Sequence, residues 1–364
     1  MYQKYHCLSI VCGKNPTPSL PFGPHVRSLL CRGVALPTLF ACSFKVLRVL
    51  DVYNFTSFIV IGIEQLVNVR YLVLSDTLPP LESFHRLEFL VVINSCGFEI
   101  TDVLLNMMSL RHMRFDESAR FSESICRRAI KEKSFQIKNN LQSISYLHVF
   151  DKADEKILGC SPNLRMLKCW VESSHGFSFD FLNQLEYLKL GSETVVSLPL
   201  NLKKLTLVGT HTSREQMEII GKLKYLEVLK LCDVSFEGKQ WDTMEGEFPE
   251  LKFLKLSRVK LAEWNTSRDH FPRLQRLALE SCVDLKMIPP SLGDIPTLQM
   301  IEVYDCGRAI NKSAKKIQEE QEDMGNEDLK VIISRPYWEN LSVSEPEEEN
   351  EEESVRESEE ETEH

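Results

Sequence analysis

Eleven cysteines and nine histidines are the side chains in this 364-residue sequence best suited to ligating a metal or attacking an electrophile. Their spacing organises them for neither task. No Cys-x-x-Cys pair occurs, and no Cys/His set has the spacing of a zinc site. Cys7 and Cys12, with four residues between them, lie near His6 and His25 and give only a weak metal hint. A Gly-x-Ser-x-Gly nucleophile elbow is absent. The Gly-Lys pairs Gly13-Lys14, Gly221-Lys222 and Gly238-Lys239 run on into Asn15, Leu223 and Gln240 rather than the Ser or Thr of a phosphate loop. Without that glycine-rich loop no row of backbone N–H groups is offered to a nucleotide. The sequence therefore predicts no catalytic residues, no cofactor and no metal.

Paired carboxylates are dense in one place. Residues 341–364 hold twelve Glu and one Arg, a local charge of −11, against −10 for the whole chain. The remaining 340 residues carry 42 basic and 41 acidic side chains, so the body of the protein is near neutral. A near-neutral body argues against a nucleic-acid partner. A run of glutamates builds no core, and 341–364 reads as a disordered tail. No apolar run reaches the roughly 18 residues a membrane span needs, and Met1–Leu20 lacks the apolar centre of a signal peptide. The scattered cysteines then read as reduced thiols, consistent with a cytoplasmic location that includes nuclear or peripheral-membrane pools.

What the sequence repeats is leucine, 48 of them. The pattern L-x-x-L-x-L, with other apolar residues substituting, recurs twelve times, beginning at Leu47, Val69, Leu87, Leu110, Ile144, Leu164, Leu185, Leu202, Leu226, Leu251, Leu274 and Leu298. Most spacings fall near the 20–29 residues of a leucine-rich repeat. Side chains alternate along each x-L-x-L strand, so the leucines share the inner face. One coil cannot bury that face alone, but stacked coils bury a continuous one. The fold class is α/β: a leucine-rich-repeat solenoid, or horseshoe, of about twelve irregular repeats with a parallel sheet on its concave face. Cys282 and Cys306 occupy the repeat's Asn/Cys position and read as small buried hydrophobes.

The residues flanking the inward leucines face outward and offer a binding surface. Two stripes result. One is aromatic, with Tyr146, Tyr187 and Phe253 as anchors; the other is cationic through Arg114, His148, Lys168, Lys189, Lys230 and Lys255. The candidate protein-binding residues are Tyr146, His148, Lys168, Tyr187, Lys189, Lys230, Phe253 and Lys255. Such a face suits an acidic partner surface, with the aromatics as anchors. Lysines that only keep an exposed sheet soluble are the plainer alternative. The Glu-rich tail folding back on the lysines is a third.

The ends must cover the core. The region 1–43 reads as linker and N-terminal cap, with prolines at Pro16, Pro18, Pro21 and Pro24; 44–310 as repeats; 311–340 as a C-terminal cap; and 341–364 as tail. Within the cap, Ser313–Met324 predicts a helix with Ala314, Ile317 and Met324 inward, stopped by Gly325. Leu329–Ile333 predicts a closing strand. Thr212–Leu226 has helical character, and Ser122–Lys133 reads as a charged insert compatible with a helix, with a decayed repeat or a loop as alternatives.

Three segments carry a family resemblance: Leu20-Pro-Phe-Gly-Pro-His-Val-Arg-Ser-Leu-Leu30, Phe44-Lys-Val-Leu-Arg-Val-Leu-Asp51, and Ile288-Pro289 with Leu292-Gly-Asp-Ile-Pro-Thr-Leu298. Over about residues 20–335 the chain resembles the leucine-rich-repeat region of plant coiled-coil nucleotide-binding disease resistance proteins, late blight resistance subgroup. The resemblance implies a non-enzymatic module of plant defense and innate immunity, tied to the hypersensitive response. It would sense a pathogen effector or a guarded host protein, or restrain a nucleotide-binding switch domain that this sequence does not contain. A substrate-recognition subunit of a ubiquitin ligase is one alternative, although Met1–Phe44 is proline-rich for an F-box. A decayed receptor fragment is another. Oligomeric state is open.

Overall fold

A computed structural model describes residues 6–12, 23–33, 39–53, 60–75, 81–93, 95–172, 177–193, 197–326 and 328–334. The Glu-rich segment, its fold-back on the lysines and the sequence around Pro16 to Pro21 lie outside the described residues.

The inward leucines build one long parallel sheet. Its strands are β1 (Cys7–Cys12), β2 (Ser28–Gly33), β3 (Val49–Tyr53), β4 (Tyr71–Ser75) and β5 (Phe89–Ile93). Next come β6 (His112–Phe121), β7 (Ser143–Val149), β8 (Met166–Val171), β9 (Tyr187–Ser192) and β10 (Lys204–Val208). The last are β11 (Val228–Cys232), β12 (Phe253–Ser257), β13 (Arg276–Glu280), β14 (Met300–Tyr304) and β15 (Lys330–Ser334). They pair strictly in chain order. Each of the twelve expected copies supplies a strand, and β1, β2 and β15 add three. Two of these extra strands come from the stretch read as linker and cap. The sheet there is continuous with the repeats, and Leu29 and Cys31 of β2 are fully buried in the common core. Cys7 is exposed on β1, and no group of three or more His, Cys, Asp or Glu able to hold a metal occurs among the described residues.

Every leucine of the pattern is buried, in register with its counterparts: Leu188 beside Leu205, Leu229 beside Leu254, Leu277 beside Ile301. A second recurrence sets up each strand. Phe44, Leu66, Phe84, Leu182, Leu223, Phe248, Phe271 and Ile295 are buried three residues before a frame residue. The frame residue's N–H donates to that carbonyl at 3.0–3.2 Å, closing a tight turn. In the layer opposite the sheet, Trp241 and Trp264 of adjacent coils stack at 5.2 Å with planes 6° apart, and Phe248 and Phe271 at 5.1 Å.

A third recurrence ends the strands. Gly209, Asp233, Arg258, Ser281 and Asp305 all take positive φ, and each donates its N–H to the last strand residue of the next coil at 2.8–3.1 Å. Four of the five are not glycine, which costs backbone energy but closes the ladder.

Cys282 is fully buried, its N–H donating to Cys306 Sγ at 3.4 Å in the next coil. Its thiol hydrogen-bonds to Cys306 and lies away from water, which raises its pKa strongly. This fits a packing role at the repeat position.

Among the described residues the helices of eight residues or more are α1 (Glu123–Lys131), α2 (Lys152–Gly159), α3 (Arg214–Gly221) and α4 (Arg308–Asp323). The first lies in the Ser122–Lys133 insert. Ser213 and Gln216 form a capping box on α3, which buries Met217 and Ile220. At the C-terminal end α4 starts five residues before the expected position and buries Ile310, Ala314, Ile317 and Gln321. Met324, expected inward, is two-thirds exposed. The helix stops one residue earlier, and Gly325 at φ +83° turns the chain away. Asn326 then folds back onto Gln321 through its N–H and its amide, at 2.9 and 2.8 Å.

Phe271→Ala opens a hole where two coils interlock. Urea unfolding should show a loss of about 3–5 kcal/mol, the usual cost of emptying a fully buried aromatic site.

Candidate protein-binding face

The sheet's outer face carries the expected stripes, with one shift of register. Ile144 lies beside Met113 on one side and Leu167 on the other, both second-position residues. The fifth copy therefore starts at Leu141, which is fully buried, and not at Ile144. Its strand then accommodates an extra residue. Tyr146 bulges out at φ +63°, so that Leu147 can resume inward packing beside Cys169. The outward columns in β7 are consequently Ser143 and Ser145, where the sequence pointed to Tyr146 and His148. The long gap before this copy concealed the frame: apolar residues at 141, 144, 147 and 149 fit two registers equally well.

The displaced residues nonetheless join the site. Tyr146, His148, Lys168 and Lys189 line a hollow of about 200 Å³ together with Trp170, Cys169, Gly191 and Val208. Lys168 Nζ sits 6.0 Å from the Tyr146 ring and 5.9 Å from the Tyr187 ring. Contacts of this kind contribute about 0.5–1 kcal/mol each when exposed. His148 pairs with Glu172 at 3.3 Å. Tyr187 is half-buried, which raises its phenol pKa against a lowering hydrogen bond from Thr206.

Trp170 also lines the hollow, and the strand pattern does not reveal it. It follows the third inward residue of β8 and is 39% exposed. Its ring crosses the neighbouring strand, where a Cβ on Gly191 would meet ring atoms at 1.9 Å. Gly191 therefore makes the room in which Trp170 lies down. A tryptophan and a glycine at equivalent positions of successive repeats were the available signal.

Lys230, Phe253 and Lys255 form a second patch three strands along. Phe253 lies between Lys230 and Arg276, at 5.5 and 5.4 Å from its ring. Lys255 is neutralised by Glu280 at 2.5 Å, and Arg276 by a two-pronged bond to Glu302 at 2.6 and 2.7 Å. Lys168 sits directly beside Lys189, and Lys230 beside Lys255, with neutral Thr206 separating the pairs. Among the described residues no carboxylate lies within 4.0 Å of Lys168, Lys189 or Lys230. Adjacent like charges at strand spacing oppose folding, so among the described residues the face is left with three lysines that have no ion pair, two of them beside an aromatic hollow that Glu117 also lines. Toward the N-terminal end the column turns aromatic: Tyr71, Phe89 and His112 succeed one another, with His112 stacked on Phe89 at 4.2 Å. Burial, aided by Arg111 and opposed by Glu88, lowers the His112 pKa.

The leucine-rich repeat region model matches residues 78–328. The chain belongs to the leucine-rich-repeat family. Its repeat region is similar to late blight resistance protein R1-A of Solanum demissum, 33% identical over 80% of this chain and 24% of that protein. It is likewise similar to the late blight resistance protein homolog R1B-13 of the same species, 42% identical over 51% of this chain and 18% of that one. The repeat chain thus spans about a quarter of the length of such relatives. Among solved structures an internalin from Listeria monocytogenes aligns with a TM-score of 0.43 at 14% identity, over 76% of this chain and 82% of that one. No helix among the described residues is long and apolar enough to cross a membrane.

Two results should follow. Gly191→Ala must lift Trp170 off the sheet; its fluorescence should shift and the fold should lose about 1–3 kcal/mol, the usual cost of overpacking. Acid is the second. The two-pronged Arg258–Asp233 bond, at 2.7 Å on both arms, holds the Asp233 carboxyl below its usual range. Lys255 does the same for Glu280. Because both pKa values fall on folding, these pairs contribute in full above the ordinary carboxylate pKa of about 4 and fade as pH drops through the lowered values. Thermal melts between pH 5 and pH 3 should therefore fall less steeply for Asp233→Asn than for the native chain. The difference should shrink in 1 M salt, since the Arg258–Asp233 pair is exposed.

Proposed function

We propose that this repeat chain is the non-catalytic recognition part of a plant disease resistance protein, acting in the cytoplasm. Its sheet face would hold a protein partner: a pathogen effector, a guarded host protein, or a nucleotide-binding switch domain kept inactive. The observation that carries the reading is the hollow under Tyr146, His148 and Trp170, flanked by Lys168 and Lys189, which have no carboxylate within 4.0 Å among the described residues. Large aromatics beside unneutralised cations are the composition of an interface anchor, and the like-charge stacking is relieved when an acidic surface covers it. Kinship with late blight resistance proteins supports the defense role.

Sensing and restraint are both supported, the second because the relatives are about four times longer than the matched region and contain chain on which this face could rest. One experiment separates them. The region is placed in full-length late blight resistance protein R1-A in exchange for that protein's own repeats, with and without Trp170→Ala/Lys168→Glu, and expressed in leaves. If the face senses, the substitutions should abolish pathogen-triggered cell death at unchanged protein level. If it restrains, they should cause cell death without a pathogen. Identical behaviour of both chimeras in all tests would overturn the reading.

A further inference from the structure

A column of charged residues runs along the edge where the chain enters each strand. Each residue's N–H donates to the carbonyl of its predecessor one coil earlier, in the order Arg27, Arg48, Arg70, Glu88, Arg111, Gln142, Arg165, Glu186, Lys203, Glu227, Lys252, Gln275, Gln299. From Arg70 onward no two neighbours share a sign. Glutamates interleave with the bases and pair with them: Arg70–Glu88 at 3.3 Å, Arg165–Glu186 at 3.6 Å, Lys203–Glu186 at 3.2 Å and Lys252–Glu227 at 3.3 Å. The rule fails only at the first three positions. Arg27, Arg48 and Arg70 are stacked on consecutive coils, about 4.8 Å apart by strand spacing.

There they wall a hollow of about 320 Å³ completed by His6, His25, Val46, Asn68 and Arg86. Asn68 anchors it: its amide nitrogen donates to the Lys45 carbonyl at 3.0 Å while its oxygen accepts from Arg86 at 2.9 Å. Arg70 has Glu88 as its partner, but among the described residues Arg27, Arg48 and Arg86 have no carboxylate within 4.0 Å. Three such guanidinium groups in one hollow repel each other unless an anion joins them, and guanidinium forks match phosphate oxygens two at a time.

We infer that this hollow binds a small, multiply phosphorylated ligand, which supplies the negative charge that a glutamate supplies further along the column. Charge density favours phosphate over an acidic peptide. Carboxylates on one side of an extended peptide recur only every second residue, about 6.8 Å, whereas adjoining phosphoryl groups are closer than the arginine repeat. The inference stands apart from the reading of the sheet face, since it involves other residues.

Inorganic tripolyphosphate is the probe, titrated calorimetrically into the full chain at fixed ionic strength, with thermal melts alongside. Arg27→Gln/Arg48→Gln should weaken binding at least tenfold and, without ligand, should melt no lower than the native chain because a repulsion is gone. Arg27→Lys/Arg48→Lys keeps the charge but loses the forks and should fall between. Lys168→Gln/Lys189→Gln on the sheet face should change binding less than twofold. The inference is overturned if tripolyphosphate shifts the native melt no more than sodium chloride at equal ionic strength. It is equally overturned if the sheet-face variant loses as much binding as the arginine variant, or if a hexaglutamate peptide binds as tightly as tripolyphosphate.

Discussion

Each coil of this protein carries a row of leucines that only the next coil can cover. That constraint decides almost everything else. Burying one such side chain contributes about 1.5–3 kcal/mol, but the contribution is collected only when a neighbour is stacked in register. Register is enforced because a slip of one residue would turn every leucine outward. The tight turn ahead of each strand and the left-handed residue behind it serve the same end. They fix where the chain enters and leaves the sheet, so that Leu229 meets Leu254 and Leu205 rather than a polar neighbour. Function is left to the side chains that the leucines do not need.

That division explains which parts were legible in the sequence. A pattern repeated twelve times over-determines the inner face, so solenoid architecture, parallel pairing and the closing helix and strand could be read directly. Legibility failed where the pattern thins. Leu8 and Leu29 belong to strands too sparse in leucine to register as copies, so the sequence pattern does not separate β1 and β2 from a linker and cap. Between Leu110 and Leu164 two frames fit equally well, and only the bulge at Tyr146 shows which one the chain uses. Bulges are invisible to a periodic template because they add a residue without changing its composition.

The outer face was read at the level of type rather than position. Lys168, Tyr187, Lys189, Lys230, Phe253 and Lys255 stand in the two stripes where alternation puts them. Partnership was not legible: nothing in the sequence pairs Lys255 with Glu280 while leaving Lys230 unpaired one strand away. Nor does alternation show that Trp170 reaches sideways across a strand, because that depends on what its neighbour lacks. The edge column needed the register of every coil before its three like charges could be seen to adjoin.

The left-handed residues that end β10 through β14 have a consequence for heredity. From Gly209 to Asp305 each coil begins and ends with the same backbone geometry, and the coil-to-coil hydrogen bond is the same in each. A stretch such as Asp233 to Ser257 is thus an interchangeable brick. Copying that brick rejoins matching ends and repeats Phe253 and Lys255 one strand further along the surface, deleting it removes them, and the core stays continuous either way. In this half of the molecule the pattern of outward side chains can change by recombination in whole units. Around the bulge at Tyr146 the ends do not match, and only point substitution is open.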